Sequence, residues 1–320
     1  MLTTLLLQLL LLSTPNATYE PVPSATIKHM VPAWRTKNIK DSEAQLLNYR
    51  EAHPEYYGIT VAPGTSYNLY AEFGTVDRMY VPYSDDWRAY WLQIISEAAS
   101  QMEVYVITGE EGAASTVQSI IDANVDAGLL ANITVLDFYP IEHYVYSSPY
   151  YDAGIDAIWT VDFGPFYLLN ASGEKIIVDA KYYPDRINDD AMPSKVGEMN
   201  NIPVYRPDLY IEGGNLISDG LGNCYSTTVV QDYNKYTNTE LDTLLDQNFG
   251  CHNMVWLTPQ QNEGTGHIDM FFMLLDPHTA VVAEYTTTQD SANKAILDQN
   301  ATLLENTLAG DGGAITVYRI

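Results

Sequence analysis

Apolar residues recur at three- and four-residue intervals after residue 85, where Trp87, Tyr90, Trp91, Ile94, Ile95 and Ala98 fall on one side of a helix that Asp85 or Asp86 is placed to cap. A second stripe, Val117, Ile120, Ile121 and Val125, predicts a helix over 113–130. Short apolar runs at 78–83, 104–108 and 133–138 bracket the two helices and predict strands. Further along, the pattern shifts toward hairpins. Residues 166–169 and 175–179 flank the turn Asn170-Ala171-Ser172-Gly173, and 209–211 and 216–218 flank Glu212-Gly213-Gly214-Asn215. Residues 267–275 and 280–286 flank Asp276-Pro277-His278-Thr279. Helices are predicted over 239–248 and 290–308, the latter capped by Asp290 or Ser291, with a last strand over 315–320. Paired strands, a helix and another strand recur at intervals of roughly 60–80 residues without a legible sequence repeat, which predicts an α/β architecture.

Composition narrows the picture. A chain of 320 residues with 46% hydrophobic and 18% charged positions buries a core without help from metals or disulfides. Its 41 acidic against 15 basic residues give a formal charge of −26, which disfavours nucleic acid and anionic lipid as partners and favours cations in any acidic cleft. Residues 5–12 are apolar except for Gln8, too short to span a bilayer, and are followed by the small residues Ser13, Ala17 and Ala25. Residues 1–25 therefore read as a signal peptide, although Met1–Thr4 carries no basic residue, and the protein is expected to be secreted or extracytoplasmic. Residues 26–63 read as a linker or surface wrap and 64–320 as the folded domain, with no span of transmembrane length. Two cysteines, Cys224 and Cys251, suit one disulfide in an exported chain.

Three segments can carry chemistry. Trp159-Thr160-Val161-Asp162-Phe163-Gly164-Pro165 sets a carboxylate at the end of an aromatic strand, where desolvation is costly unless a cation meets it; an Asp capping its own turn is the plainer reading. Glu212-Gly213-Gly214-Asn215 lets backbone approach a ligand or a neighbouring strand closely, and alone is only a hairpin turn. His267-Ile268-Asp269, read as a strand, sets an imidazole and a carboxylate on one face, as a base with its partner, two metal ligands or a surface pair.

Taken in order, the three segments resemble the signature of the bacterial-type peptidylarginine and agmatine deiminases of the guanidine-modifying superfamily: Trp-Thr-Arg-Asp-x-Gly-Pro, Glu-Gly-Gly-Asn, then His-x-Asp. The resemblance runs from Ile59 to the last residue. It implies a pseudo-fivefold α/β propeller of ββαβ modules (pentein-like), with the final module or part of it missing from this chain. It implies that Asp162 and Asp269 grip a planar guanidinium, that His267 moves protons, and that Glu212 orients the pocket. Trp159 and Asn215 join the substrate contacts, and Arg186 matches a stretch where peptidylarginine deiminases bind a substrate carboxylate. The chemistry implied is attack by a thiolate, loss of ammonia and hydrolysis of the covalent intermediate to citrulline or a carbamoyl product, with no metal or cofactor.

Three departures stand out. Val161 replaces the motif arginine, Pro184 stands where a second substrate-facing arginine is expected, and no residue after Asp269 is a cysteine. The chain therefore reads as truncated before its nucleophile and inactive as given. Cys251 neighbours His252, but adjacent residues of an extended chain face opposite ways, so a disulfide with Cys224 is the leading reading. An arginine-containing peptide is the favoured partner because export favours it, with agmatine or another small guanidine as the alternative. A non-catalytic guanidinium-binding protein is a second class of function. A hydrolase using His267, Asp269 and other carboxylates on a metal ranks last, since no further His or Cys lies at ligand spacing.

Overall fold

The computed structural model describes residues 47–83, 85–108, 113–137, 158–183, 186–234 and 236–320. The predicted leader, Pro184 and most of the stretch before Trp159 lie outside these residues. Residues 47–52 are helical and lead into α1 (Pro54–Tyr57). A βαβαβ unit follows: β2 (Arg78–Pro82), α2 (Arg88–Ala99), β3 (Glu103–Thr108), α3 (Ala113–Asn124) and β4 (Ile133–Asp137). Its strands pair in parallel in the order β2-β3-β4. Trp91, Ile95, Val117 and Ile121 close the core between helices and sheet.

The rest of the described chain repeats a different unit three times: a hairpin, a helix, and a strand parallel to the second hairpin strand. The first is β5 (Phe166–Asn170), β6 (Lys175–Val178), α5 (Ile187–Asn200) and β7 (Val204–Tyr205), with β1 (Tyr67–Leu69) added antiparallel to β5. The second is β8 (Ile217–Ser218), β9 (Asn223–Thr227), α7 (Asn238–Phe249) and β10 (Asn253–Leu257), with a one-turn-and-a-half α6 (Val229–Asn234) before α7. The third is β11 (Phe272–Asp276), β12 (Thr279–Val282), α8 (Ser291–Glu305) and β13 (Thr316–Arg319). Each parallel return strand needs a crossover, and the helix supplies it while covering one face of the sheet.

Several local expectations change. Trp87 and Tyr90 are about half exposed, because α2 starts at Arg88 after a 3-10 turn; Asp85 does not cap it but accepts from the Tyr83 hydroxyl and Arg88 Nε. Helix α3 stops at Asn124, since an Asp126 turn, whose side chain accepts from Gly128 N–H, takes over the backbone. Residues 209–211 form no hairpin with 216–218; Tyr210 makes a lone bridge to Lys181 and β8 pairs with β9 instead. The cap of the last helix follows its sequence signal, Asp290 accepting from Ala292 and Asn293 N–H on α8, while α7 starts at Asn238 behind a capping box of Thr237 and Glu240.

Cys224 and Cys251 form a disulfide, both fully buried, linking β9 to the turn that enters β10. Closing 27 residues in this way removes about 3–4 kcal/mol of unfolded-chain entropy. Among the described residues no helix is long and apolar enough to cross a membrane.

A buried ionic cluster ties the 47–63 segment to the first ββαβ unit. Arg206 donates to Asp179 at 2.6 Å and Asp190 at 2.7 Å, and all three are at most 4% exposed. Asp190 also accepts from Arg50 at 2.8 Å and from the backbone N–H of Tyr182 at 2.7 Å. Thr60 and Arg206 exchange backbone and hydroxyl hydrogen bonds, and the Tyr57 hydroxyl donates to the Ile187 carbonyl. Removing one partner would leave the others buried and uncompensated, so Arg206→Met is expected to lower unfolding free energy by about 3–5 kcal/mol in urea denaturation. A loss below about 1 kcal/mol would show that the cluster does not anchor this region.

Candidate active site

The three sequence segments meet at one cavity of about 390 Å³. Asp162 does not end a strand: it lies in a single helical turn, α4 (Thr160–Phe163), just before the Gly164–Pro165 bend into β5. Glu212 precedes a 3-10 turn at Gly213–Asn215 that leads into β8. His267 and Asp269 lie not on a strand but in the loop between β10 and β11, and both still face the cavity.

The two glycines make the convergence possible. A Cβ on Gly213 would stand 1.9 Å from the Val161 carbonyl oxygen, so only glycine lets this turn pack on α4. A Cβ on Gly214 would stand 2.5 Å from His267 Nδ1, 2.7 Å from Asp162 Oδ1 and 3.0 Å from Asp269 Oδ2. Three functional atoms from two other segments thus crowd one backbone position. That backbone binds them in turn: Gly214 N–H donates to Asp162 Oδ1 at 3.1 Å, and its carbonyl accepts from Asp269 N–H at 3.1 Å.

His267 is 7% exposed. Its Nε2 stands 2.5 Å from Glu212 Oε2, and its Nδ1 is 3.6 Å from Asp162 Oδ1. The loop carrying it is held from several sides. The Glu263 carboxylate accepts from Thr265 N–H and hydroxyl and from the N–H groups of Gly266 and His267. Thr227 Oγ1 donates to the Gly266 carbonyl at 2.6 Å. Asn215 corrects the expectation of a substrate contact: it is 2% exposed and absent from the cavity wall. Its side-chain oxygen accepts from Thr227 N–H and Ile268 N–H, so it positions the His267 loop against β9. Sequence reading missed Glu263 and Thr265, which also line the cavity; the Glu-x-Thr-Gly-His spacing of a self-capping loop was the available signal.

The outer wall is aromatic. Trp159, Tyr182, Tyr183 and Met270 line it, with Trp159 37% exposed at the rim. Arg186 lines the cavity too, donates to the Tyr182 hydroxyl at 2.7 Å and lies over both tyrosine rings. Val161, at the motif's arginine position, is 57% exposed and also lines the cavity.

Electrostatics set the site's character. Burial pushes Asp162 and Asp269 up to about 6 each, His267 pulling both down and neighbouring carboxylates raising them again. Burial opposes charge on His267, but the Glu212 hydrogen bond and the charges of Asp162, Glu212 and Asp269 outweigh it and raise its pKa. At neutral pH the cavity therefore holds ionised carboxylates in partial desolvation, a state that a cationic ligand relieves.

That cost has a sign. A carboxylate whose folded pKa is raised favours folding when protonated, a contribution fully present below about pH 4 and lost as the pH rises through about 6. Asp162→Asn, which keeps an oxygen for Gly214 N–H, is expected to raise unfolding free energy by about 1–2 kcal/mol at pH 7.5 and to leave it unchanged near pH 4. Chemical denaturation at the two pH values checks it; equal effects at both would show that burial does not raise this group.

Comparison with known proteins bears on the fold and the family. The agmatine deiminase of Pseudomonas fluorescens is 26% identical over 182 residues, covering 52% of this chain and 49% of that protein. The chain spans about half the length of the curated relatives it matches. The structure of the Enterococcus faecalis agmatine deiminase superimposes with a TM-score of 0.65 at 17% identity, covering 82% of this chain and 73% of that one. A C. jejuni agmatine deiminase, solved in a cysteine-to-serine form with substrate bound, gives a TM-score of 0.57 at 15% identity, covering 79% and 74%. These likenesses show a shared α/β fold. The family model described as Porphyromonas-type peptidyl-arginine deiminase matches residues 72–320, and so the chain belongs to the bacterial peptidyl-arginine and agmatine deiminase family.

Proposed function

We propose that the cavity binds a guanidinium between Asp162 and Asp269, and that the chain is the guanidine-binding part of a deiminase acting on a small arginine-type guanidine, agmatine above all. The observation that carries this reading is the convergence of two desolvated carboxylates and an imidazole on the Gly214 backbone. A guanidinium is planar, permanently charged and rich in N–H donors, and carboxylates on two sides of it accept in the fork geometry that fixes its carbon. The names of the relatives and solved structures favour agmatine over the peptide substrate that export suggests. Arg186 on the wall supports a second reading, free or peptidyl arginine, because a fixed cation there attracts a carboxylate and repels the amine of agmatine.

In the reaction, a thiolate adds to the guanidinium carbon. His267, whose protonated form Glu212 favours, passes a proton to the departing nitrogen, and ammonia leaves. The neutral imidazole then takes a proton from water as it attacks the thiouronium, releasing the ureido product and the thiol. The two cysteines of the sequence are joined in a buried disulfide, so neither serves as that thiol. In this reading a thiolate other than these two supplies the attack. The three ββαβ units and the βαβαβ unit support the five-bladed propeller as the arrangement of the whole protein. The disulfide supports an extracytoplasmic setting, with residues 1–25 as leader.

Calorimetric titration with agmatine and with arginine tests the binding claim. One saturable site is expected, tightening as the pH rises through about 6, where Asp162 and Asp269 ionise. Asp162→Asn and Asp269→Asn should each weaken it by about 10- to 150-fold, the value of a charge-assisted hydrogen bond. No citrulline or carbamoyl product should accumulate. Binding that both variants retain in full would overturn the clamp, and turnover by the 320 residues would overturn the account of the thiol.

A further inference from the structure

We propose that Asn170 is the attachment site of an N-linked glycan, and that the first sugar of this glycan seats in a second cavity beside it. The inference rests on the extracytoplasmic setting proposed above.

The sequence holds Asn-X-Ser/Thr triplets beginning at Asn16, Asn132, Asn170 and Asn300, and such a triplet carries a glycan only where the fold leaves the amide accessible. Asn16 lies outside the described residues. Asn300 is 2% exposed inside α8, and its amide exchanges two hydrogen bonds with the Thr258 backbone, so a sugar there is incompatible with the fold. Asn132 is exposed at the entry to β4, with Nδ2 donating to the Ala99 carbonyl, and neither cavity reaches it. Asn170 opens the turn of the β5–β6 hairpin, where its Oδ1 accepts from the N–H groups of Ser172 and Glu174. Its Nδ2 spends one hydrogen on Glu174 Oε2 at 2.9 Å; the glycosidic bond replaces the other.

Asn170 also lines a cavity of about 460 Å³. Three hairpin turns meet there: Asn170–Ala171 of the first ββαβ unit, Asp219–Leu221 of the second and Pro277 of the third, with the 66–74 segment closing the side. Asp162, Glu212 and Asp269 precede β5, β8 and β11, so the guanidine cavity lies at the opposite ends of the same hairpin strands. The wall is amphipathic, with the rings of Tyr70 and Phe73 beside Leu221 and Pro277, and with Ser66 and Asn68 as its polar part. Tyr70 is 38% exposed yet held: its hydroxyl donates to the Thr75 carbonyl at 3.0 Å, and Gly74 leaves room for the ring, since a Cβ there would stand 2.5 Å from it. A pyranose has an apolar C–H face and a polar edge. The fixed rings take the face, and Ser66 and Asn68 take hydroxyl or acetamido groups, the usual make-up of a small-ligand site.

The donor is a polyprenyl-diphosphate-linked oligosaccharide, transferred during export by a membrane oligosaccharyltransferase. Asn170 Nδ2 forms a bond to C1 of the reducing-end sugar as the C1–O bond to the diphosphate breaks. Polyprenyl diphosphate leaves with the bonding pair, and the amide proton passes to a base of the transferase.

The test is secretion of the full chain from a eukaryotic host, once with its own residues 1–25 and once with a foreign leader in their place. Peptide-N-glycosidase in heavy-oxygen water converts each glycan-bearing Asn to a heavy-labelled carboxylate, which mass spectrometry locates. Label is expected at Asn170 and not at Asn300, and Asn170→Gln should remove one glycan from the intact mass. Secreted protein without label at Asn170, or with label at Asn132 alone, overturns the site. A glycan at Asn170 under the foreign leader only keeps the site and refutes residues 1–25 as the leader. The seat has its own readout: removing the glycan from the folded protein should lower the thermal midpoint by about 2 °C, and should not do so in Tyr70→Ser. Phe73→Leu serves if circular dichroism shows that Tyr70→Ser does not fold. Equal shifts in the parent and the variant overturn the seat.

Discussion

Everything in the site depends on how closely the backbone at Gly214 is approached. Asp162, His267 and Asp269 come from α4 and from the β10–β11 loop, and their functional atoms crowd the volume that any side chain at residue 214 would fill. This places two carboxylates and an imidazole side by side in a cavity partly closed to water. Their mutual repulsion and desolvation are unfavourable in the empty protein, as the raised pKa values of both aspartates record. Binding a cation returns that free energy.

The scaffold holds this unfavourable arrangement from behind. Asn215 joins the turn after Glu212 to Thr227 on β9 and to Ile268, and Glu263 gathers the amides that lead to His267. On the far wall, Asp190 binds the Tyr182 backbone while Arg206 and Arg50 neutralise it, so Tyr182, and Arg186 bonded to its hydroxyl, stand on a fixed base. The segment around Tyr57 therefore bears on the cavity without touching it.

Much of this was legible in the sequence, for identifiable reasons. The amphipathic stripe of Val117 and Ile121, the hairpin around Asn170–Gly173 and the cap at Asp290 are local signals, and local signals survive folding. Helix α5 was not legible, because it buries Asp189 and Asp190 along with Pro193 and Gly197, and no apolar stripe marks it. Strand β9 was missed because all five residues are buried, which removes the alternation that marks a half-exposed strand. Among candidate site residues, Asp162, Glu212, His267 and Asp269 were singled out by their motifs and line one cavity, although two of the three segments were assigned to strands they do not form. Asn215 was placed in the pocket, whereas the two backbone N–H groups its side-chain oxygen accepts from turn it into the framework; that distinction rests on residues 12 and 53 positions away and has no local sign.

The most direct test of the central claim is a crystal structure of the chain soaked with agmatine. The account predicts the guanidinium nitrogens within hydrogen-bond distance of both Asp162 and Asp269, with His267 alongside and the Glu212 contact kept. An agmatine ordered elsewhere, or held by only one of the two carboxylates, would contradict it.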